Sequence, residues 1–364
     1  RKRSSVIVSQ VNKGKKLLIV RLSSLGDCVF NIPMANLFKK NGYRVDWIVS
    51  EKGYDIIKDN PCVDKVYLAP VGRWKKRGLV SFRSFFEYLK ILHEIRKEKY
   101  DIAIDTQGML KTMYWMRFCG AKRRIVPIDV REHATLGGNE IIPAIHHGIE
   151  RHSVINYMDF TKYLGIDSEE IKFTLPPVTE EIKAKIDDLL KPLDKSKPMV
   201  VIAPATTRFL KHWSPDNWKE VVENIKDKCS LVFTGTEKDK ELLAYIGSDC
   251  GLNLAGKTNL KELQELLTRA SLVMAPDSGT AHLAWASNNP AVISIFTCTP
   301  PTLFGCFGNP DKYFAVNAKL DCQPCFLFDC PKEGDAKNLC TRRPTAQEII
   351  NIVNKVLQNT KNVV

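Results

Sequence analysis

Short apolar runs alternate with longer amphipathic stretches along most of this chain, and that alternation predicts its elements. Residues 17–20, LLIV, are four consecutive apolar positions and predict a short buried strand. A tight loop follows over 21–26, and Asp27 stands where the loop enters a helix. Residues 33–40 predict that helix, with Pro33 near its first turn, where a missing N–H costs little. Strands are predicted at 45–49 and 63–68, with a short helix at 54–59 between them. The stretch 71–83 breaks the rhythm, and its GRWKKRG reads as a basic turn. Residues 85–97 are apolar at helical spacing, and Phe85, Phe86 and Tyr88 are assigned to packing. Further strands fall at 100–106 and 125–128. A loop rich in glycine and charge covers 129–143, and a helix begins near Ser153.

The segment 174–198 carries the punctuation PP, PL and KP around one polar helix, 180–190, and marks the domain boundary. The pattern then restarts. Strands are predicted at 199–203, 231–234, near Leu252, at 271–275 and at 291–296. Helices are predicted at 218–226, 237–246, 260–269 and 280–285, and a last helix at 345–357 follows RRP. Strand–helix–strand alternation of this kind builds parallel sheets. The predicted fold class is α/β, with two Rossmann-like domains facing each other across a central cleft. Their bounds are 17–176 and 199–343, with a linker at 177–198 and the C-terminal helix at 344–357.

Composition narrows the partners. An apolar content of 44% over 364 residues supports two substantial cores. No apolar run is long enough to cross a bilayer. The first sixteen residues are basic and lack the apolar core of a signal peptide, and a start without Met suggests trimming or a tag. Lys and Arg outnumber Asp and Glu by 54 to 41, a formal charge of +13, which favours anionic partners. Neither zinc-finger spacing nor an RNA-binding aromatic pattern accompanies the charge, so nucleic acid is not expected. Eleven cysteines, an odd number with several in apolar contexts (Cys28, Cys62, Cys229, Cys298), indicate a reducing compartment.

Candidate chemistry gathers at the carboxyl ends of predicted strands, where open α/β sheets bind ligands. After the first strand, Ser23, Ser24 and Asp27 supply two hydroxyls and an acid, the parts for anchoring an anion and moving a proton. The competing reading is that Asp27 only caps a helix. In the basic stretch, Arg73 and Lys76 flank Trp74, either as a solvated turn or as a clamp on a phosphorylated, partly apolar substrate. Gln107, Gly108 and Lys111 end the 100–106 strand. Arg131 and His133 face ligand or solvent. His146, His147 and His152 have no acid or cysteine to complete a metal set and read as loop and helix-start residues.

The second half offers four such segments. In ATTRFLKHW (205–213), Thr206, Thr207 and Lys211 suit phosphate, while Ser214 and Pro215 suit the start of a helix. In FTGTE (233–237), Glu237 caps a helix or accepts sugar hydroxyls. LAGKTNL (254–260) lies beneath a base or caps the next helix. In APDSGTAH (275–282), Asp277, Ser278 and Gly279 precede a helix whose free N–H groups suit a pyrophosphate. There Asp277 pins the loop or accepts sugar hydroxyls, and His282 donates to phosphate or is a buried structural histidine. No G-x-G-x-x-G is present, which disfavours nicotinamide and flavin.

Taken together, RLSSLGD, ATTRFLKHW and APDSGTAHLA resemble the ADP-heptose:lipopolysaccharide heptosyltransferases, glycosyltransferase family 9. ATTR-x-x-KHW, GRWKKR, DTQGMLK and the TPPTLFGCFG run resemble the heptosyltransferase I branch, and the likeness spans residues 17–357. The resemblance implies a GT-B fold and inverting transfer of heptose from ADP-L-glycero-D-manno-heptose to the Kdo region of lipid A. It implies a monomer at the cytoplasmic face of a Gram-negative inner membrane, with an acceptor domain followed by a nucleotide-sugar domain. Asp27 matches the catalytic base. Thr206, Thr207, Lys211, Glu237, Asp277, Ser278, Gly279 and His282 match donor positions, and Lys211 also stabilises the departing ADP. Ser23, Ser24, Arg73, Lys76, Lys111 and Arg131 are the acceptor-side candidates. No DxD-like metal clamp is evident, so no cofactor is expected beyond the donor substrate.

Two features depart from that branch. Ser278 replaces a threonine that is frequent there, keeping the hydroxyl. The set Cys322, Cys325, Cys330 and Cys340 looks more like the cysteine-rich tails of other family members, and its reading stays open between free thiols, disulfides and a structural metal. The rival activities are heptosyltransferase II or another family 9 enzyme with a different acceptor, a two-lobed epimerase, and a non-catalytic binder of acidic lipid or nucleic acid.

Overall fold

The computed structural model describes residues 13–78, 81–146 and 148–361. His147 and residues 1–12 of the basic N-terminus lie outside the described residues. The chain divides into two compact units, residues 1–177 and 178–364. The first contains β1 (Lys16–Val20), α1 (Leu25–Lys40), β2 (Arg44–Ser50), α2 (Glu51–Ile57), β3 (Lys65–Ala69), α3 (Val71–Arg77) and α4 (Phe82–Lys97). It continues with β4 (Ile102–Asp105), α5 (Leu110–Phe118), β5 (Arg123–Pro127), β6 (Glu140–Ile142), α6 (Ser153–Tyr157) and α7 (Asp159–Tyr163). The second contains α8 (Glu180–Leu189), β7 (Met199–Ile202), α9 (Pro215–Ile225), β8 (Ser230–Phe233), α10 (Lys240–Tyr245), β9 (Leu252–Asn253) and α11 (Leu260–Arg269). It ends with β10 (Leu272–Pro276), α12 (Gly279–Ser287), β11 (Ala291–Phe296), α13 (Pro301–Phe304), β12 (Tyr313–Asn317), α14 (Leu339–Arg342) and α15 (Ala346–Lys361).

Each unit holds one parallel six-stranded sheet. The orders are β3-β2-β1-β4-β5-β6 and β12-β11-β10-β7-β8-β9. These are the same doubly wound order twice. Strand order reverses between β1 and β4, and again between β7 and β10. Crevices at the carboxyl ends of strands flanking such a reversal are where these sheets take ligands. β1 shows why the apolar pattern works. It pairs Leu17 with Val45 on one side and Ile102 on the other, and helices cover both faces, so every position from Leu17 to Val20 is fully buried.

Four local features differ from the sequence reading. First, α1 starts at Leu25, and Pro33 lies in mid-helix rather than near its start. A reciprocal capping box between Ser24 and Asp27 sets the earlier start. Eleven of the sixteen residues are buried, and that packing outweighs the cost of about 3 kcal/mol for an interior proline. Second, the GRWKKRG stretch is mainly helix, α3, held by Trp74 stacking over Trp115 at 6.3 Å and donating to Glu87 at 2.8 Å. Third, Phe85 and Phe86 are exposed, while Tyr88, Leu92 and Ile95 make the packed face of α4. Fourth, the edge strands β6 and β12 were not predicted. Their short, partly buried sequences carry little apolar signal.

The polar helix α8 belongs to the second unit, where it packs on α11 and Lys185 pairs with Glu262 at 2.8 Å. The apolar stripe of α15 (Ile349, Ile350, Val353, Val356, Leu357) joins the same unit's core around Trp213 and Trp218. Those indoles meet edge to face at 5.0 Å. Trp218→Ala should therefore cost about 3–5 kcal/mol in chemical denaturation. A loss below about 1 kcal/mol would contradict this view of the core.

Candidate functional site

Two clusters of polar side chains occupy the two reversal points, one in each unit. In the first, β1 delivers Arg21 and α1 delivers Asp27. Arg21 is buried, and its Nη2 lies 2.8 Å from Asp27 Oδ2. Nη1 donates to the Thr106 carbonyl at the end of β4, and the guanidinium lies over the Tyr157 ring at 5.4 Å. Trp47 Nε1 donates to the Arg21 carbonyl at 3.2 Å. The Ser24 N–H and hydroxyl also donate to Asp27 Oδ2, at 3.0 and 2.8 Å. Three donors thus converge on one carboxylate oxygen, and none of the described residues donates to Oδ1. The Asp27 side chain keeps 27% of its surface open, so Oδ1 can meet a ligand.

This geometry fixes the charge of Asp27. Burial alone would favour the neutral acid, but Arg21 and the Ser24 hydrogen bonds outweigh it and hold the carboxyl below the usual carboxylate range. Helix capping therefore uses Oδ2 and leaves Oδ1 over. Beside the acid, Ser23 Oγ accepts from Lys111 Nζ at 3.1 Å and from Gln107 Nε2 at 3.3 Å. Burial, followed by the cations Lys75 and Arg21, pushes Lys111 below its ordinary value. A lysine in such surroundings gains from an incoming anion. The turn that aims Gln107 and Lys111 needs glycine. Gly108 has φ +63°, and a Cβ there would lie 2.5 Å from Val130 Cγ1. Asp105 ties this turn by accepting from the Gln107 and Gly108 N–H groups, both at 2.9 Å.

The second cluster centres on Asp277 at the end of β10. Its Oδ2 lies 2.5 Å from Lys211 Nζ and accepts from the Thr299 hydroxyl at 2.6 Å. Its Oδ1 lies 3.2 Å from His282 Nε2, on the first turn of α12. Burial opposes ionisation of Asp277, but the His282 hydrogen bond and the Lys211 charge prevail and hold it well below the carboxylate range. In this structure Asp277 fastens a lysine, a histidine and a threonine from three segments. Ser278 caps α12, and the Gly279 and Thr280 N–H groups stand ahead of its intrahelical bonds. Lys211, partly exposed, and those amides are groups that suit an anion.

The remaining sequence candidates sit further out. Thr206 uses its carbonyl to accept from His212 Nε2 at 2.9 Å, and Thr207 is exposed. Glu237 is exposed, pairs with Lys240 at 2.5 Å, and rests on Gly256, whose φ is +71° and whose Cβ would collide with Glu237 Oε1 at 2.2 Å. Arg73 pairs loosely with Glu87 at 3.5 Å, and Lys76 and Arg131 are exposed. His133 is exposed, His146 pairs with Asp129 at 2.8 Å, and His152 caps α6. The eleven cysteines are free thiols. Burial, with Cys298, Cys325, Cys322 and Cys330 nearby, pushes Cys340 up to about 11. Among the described residues no group of three His, Cys, Asp or Glu side chains is arranged to hold a metal ion. Arg21, Tyr157 and Thr299 were not among the sequence candidates. The arginine in RLSSLGD was available as a signal, whereas Tyr157 and Thr299 join their clusters only through the fold.

Two doubly wound domains, one with an anchored acid and the other with a lysine beside a helix N-terminus, make an α/β protein with polar clusters where such sheets take ligands. Residues 88–334 match the model of glycosyltransferase family 9 (heptosyltransferase). The chain belongs to that family and is a glycosyltransferase. It is 25% identical over 346 residues to lipopolysaccharide heptosyltransferase 1 of Pseudomonas aeruginosa, covering 92% of this chain and 89% of the relative. The family 9 glycosyltransferase structure from Veillonella parvula matches with a TM-score of 0.78 at 17% identity, covering 95% and 98% of the two chains. Escherichia coli heptosyltransferase WaaC with ADP matches at 0.69 and 22% identity, covering 94% and 99%. The α/β class and the two Rossmann-like domains expected from the sequence are present.

The Arg21–Asp27 pair predicts a pH effect. An aspartate held low stays ionised until the pH falls through its depressed pKa, and if Asp27 is the base that the resemblance implies, activity follows that ionisation. Arg21→Gln removes the cation but leaves the burial, so the acid limb of kcat/KM should move up by at least about one pH unit. Arg21→Lys should restore most of it. An unmoved limb in Arg21→Gln would contradict the assignment.

Proposed function

We propose that this chain transfers heptose from ADP-L-glycero-D-manno-heptose to the Kdo region of lipid A, inverting the anomeric centre. The observation that carries the reading is the unshared Oδ1 of Asp27 on a carboxylate whose other oxygen takes three donors. The names of the relatives carry heptose, lipopolysaccharide and ADP, the motif resemblance adds the Kdo region of lipid A, and the Lys211–Asp277–His282 cluster beside the α12 amides suits ADP. Asp27 Oδ1 takes the proton of an acceptor hydroxyl as that oxygen bonds to the anomeric carbon. The bond from that carbon to the donor phosphate oxygen breaks, and its electron pair leaves with ADP. Lys211 and the Gly279 and Thr280 amides meet the growing charge. One displacement without a covalent nucleophile gives inversion.

Because Asp27 stays charged at neutral pH, every molecule carries the base in its working form. The cost is a weak base. Proton transfer is therefore expected late, once the acceptor oxygen is largely bonded and its proton acidic. Lys111, Ser23 and the basic α3 suit an anionic Kdo acceptor. In this reading the first domain binds acceptor and the second binds nucleotide sugar. The protein works as a monomer on the cytoplasmic face of a Gram-negative inner membrane. Among the described residues no helix is long and apolar enough to cross a membrane.

Asp27→Asn should lower kcat by at least about 10²-fold with ADP affinity nearly unchanged. Unaltered turnover would remove the base. Lys211→Ala should weaken use of the nucleotide sugar, and an unchanged donor KM and kcat would remove that role. Kdo-lipid A should be accepted in preference to heptosyl-Kdo-lipid A. The opposite preference would make the enzyme a heptosyltransferase II.

A further inference from the structure

The outer face of α4 is unexplained by packing or by the two polar clusters. Phe82, Phe85, Phe86 and Leu89 are 82%, 54%, 64% and 38% exposed. Their spacing of i, i+3, i+4 and i+7 places them along one side of the helix. A neighbouring side of the helix, about 100° round the axis, already does the packing, with Tyr88 against Trp115 at 4.5 Å and with Leu92 and Ile95 buried. The helix is therefore apolar on two faces, and only one is used. α5, which meets α4 where the Tyr88 hydroxyl donates to the Tyr114 carbonyl at 3.3 Å, adds exposed Leu110, Tyr114 and Phe118 at four-residue intervals.

The charge of this stretch is strongly positive. Residues 71–97 contain eight Lys or Arg and two Glu. Both acids are engaged, Glu87 by Trp74 and Arg77 at 2.8 and 2.9 Å, and Glu94 by Lys97 at 3.5 Å. Arg83 and Lys90 are exposed on α4 among the phenylalanines, and Lys75 and Lys76 are exposed on α3. Exposed aromatic side chains bordered by long cations suit a phospholipid interface, where the rings enter the acyl boundary and the cations meet phosphates. Like charge opposes pairing of two such faces, which argues against a second copy as the occupant.

We infer that α3 and α4 form a docking element for an anionic phospholipid surface, with Phe82, Phe85, Phe86 and Leu89 as its inserted edge. The inference rests on the proposed membrane-face location and gives it a physical device. Flotation of the full chain with phosphatidylcholine vesicles, with and without phosphatidylglycerol, tests it at about 0.15 M salt. The chain should float with the anionic vesicles and not with the neutral ones. Phe82→Ser/Phe85→Ser/Phe86→Ser should reduce the bound fraction at least about tenfold, and Arg83→Glu/Lys90→Glu several-fold. Both variants should keep the wild-type circular dichroism and ADP affinity, and the triple variant should keep its transfer rate to an acceptor without acyl chains. Failure of the full chain to float, or equal flotation of the triple variant, overturns the inference. So does a change in oligomeric state as the triple variant's only effect, since the stripe would then be a protein contact. Flotation uses no sugar substrate, so docking without heptose transfer would defeat the proposed activity alone, and transfer without docking would defeat the inference alone.

Discussion

The ion pair between Arg21 and Asp27 is the constraint around which the first domain's chemistry is arranged. Arg21 leaves the central strand directly into a buried position, and the loop after it is too short to place Asp27 elsewhere. Removing Asp27 would leave the Arg21 charge buried and alone, and breaking a fully buried pair costs about 3–5 kcal/mol, an upper bound for this partly open one. The pair therefore organises α1, the crossing to Thr106 and the Tyr157 ring at once. It also decides which carboxylate oxygen is structural and which is available. Helix capping and proton transfer make different demands, and under the proposed function the two oxygens of one side chain divide the tasks.

The second domain repeats the solution with the charges exchanged in importance. Asp277 is the buried hub, and the groups it fastens, Lys211 and His282, are those suited to an anion. Both hubs stand where strand order reverses, β1 against β4 and β7 against β10. A doubly wound sheet opens a crevice only there, so topology places the polar clusters before any side chain is chosen. A bare carboxylate there would repel the anion that the proposed function seats beside it. Paired to a lysine, a threonine and a histidine, it instead aims donors.

Much of this was legible along the chain. Central strands such as residues 17–20 and 291–296 are unbroken apolar runs because both faces are covered, and such runs are hard to mistake. The edge strands β6 and β12 were missed because an edge is half solvated and its sequence reads as loop. The start of α1 was misplaced because Pro33 suggests a beginning, while the local Ser24–Asp27 box that sets the true start is a weaker signal. Asp27, Lys211, Asp277 and His282 were readable as polar residues at strand ends, but their partners were not. Thr299 lies 22 residues from Asp277, and only the sheet brings them together. Helical spacing showed that α4 is amphipathic, yet periodicity cannot say whether Phe85 and Phe86 or Tyr88 and Leu92 face inward.

Titration of the Asp27 side-chain carboxyl by ¹³C NMR in the unliganded protein tests the central claim most directly. The arrangement described predicts an ionisation clearly below the ordinary aspartate value of about 3.9. An Asp27 that titrates at or above that value would show that Arg21 and Ser24 do not hold the charge as described, and the division of labour between its two oxygens would fall with it.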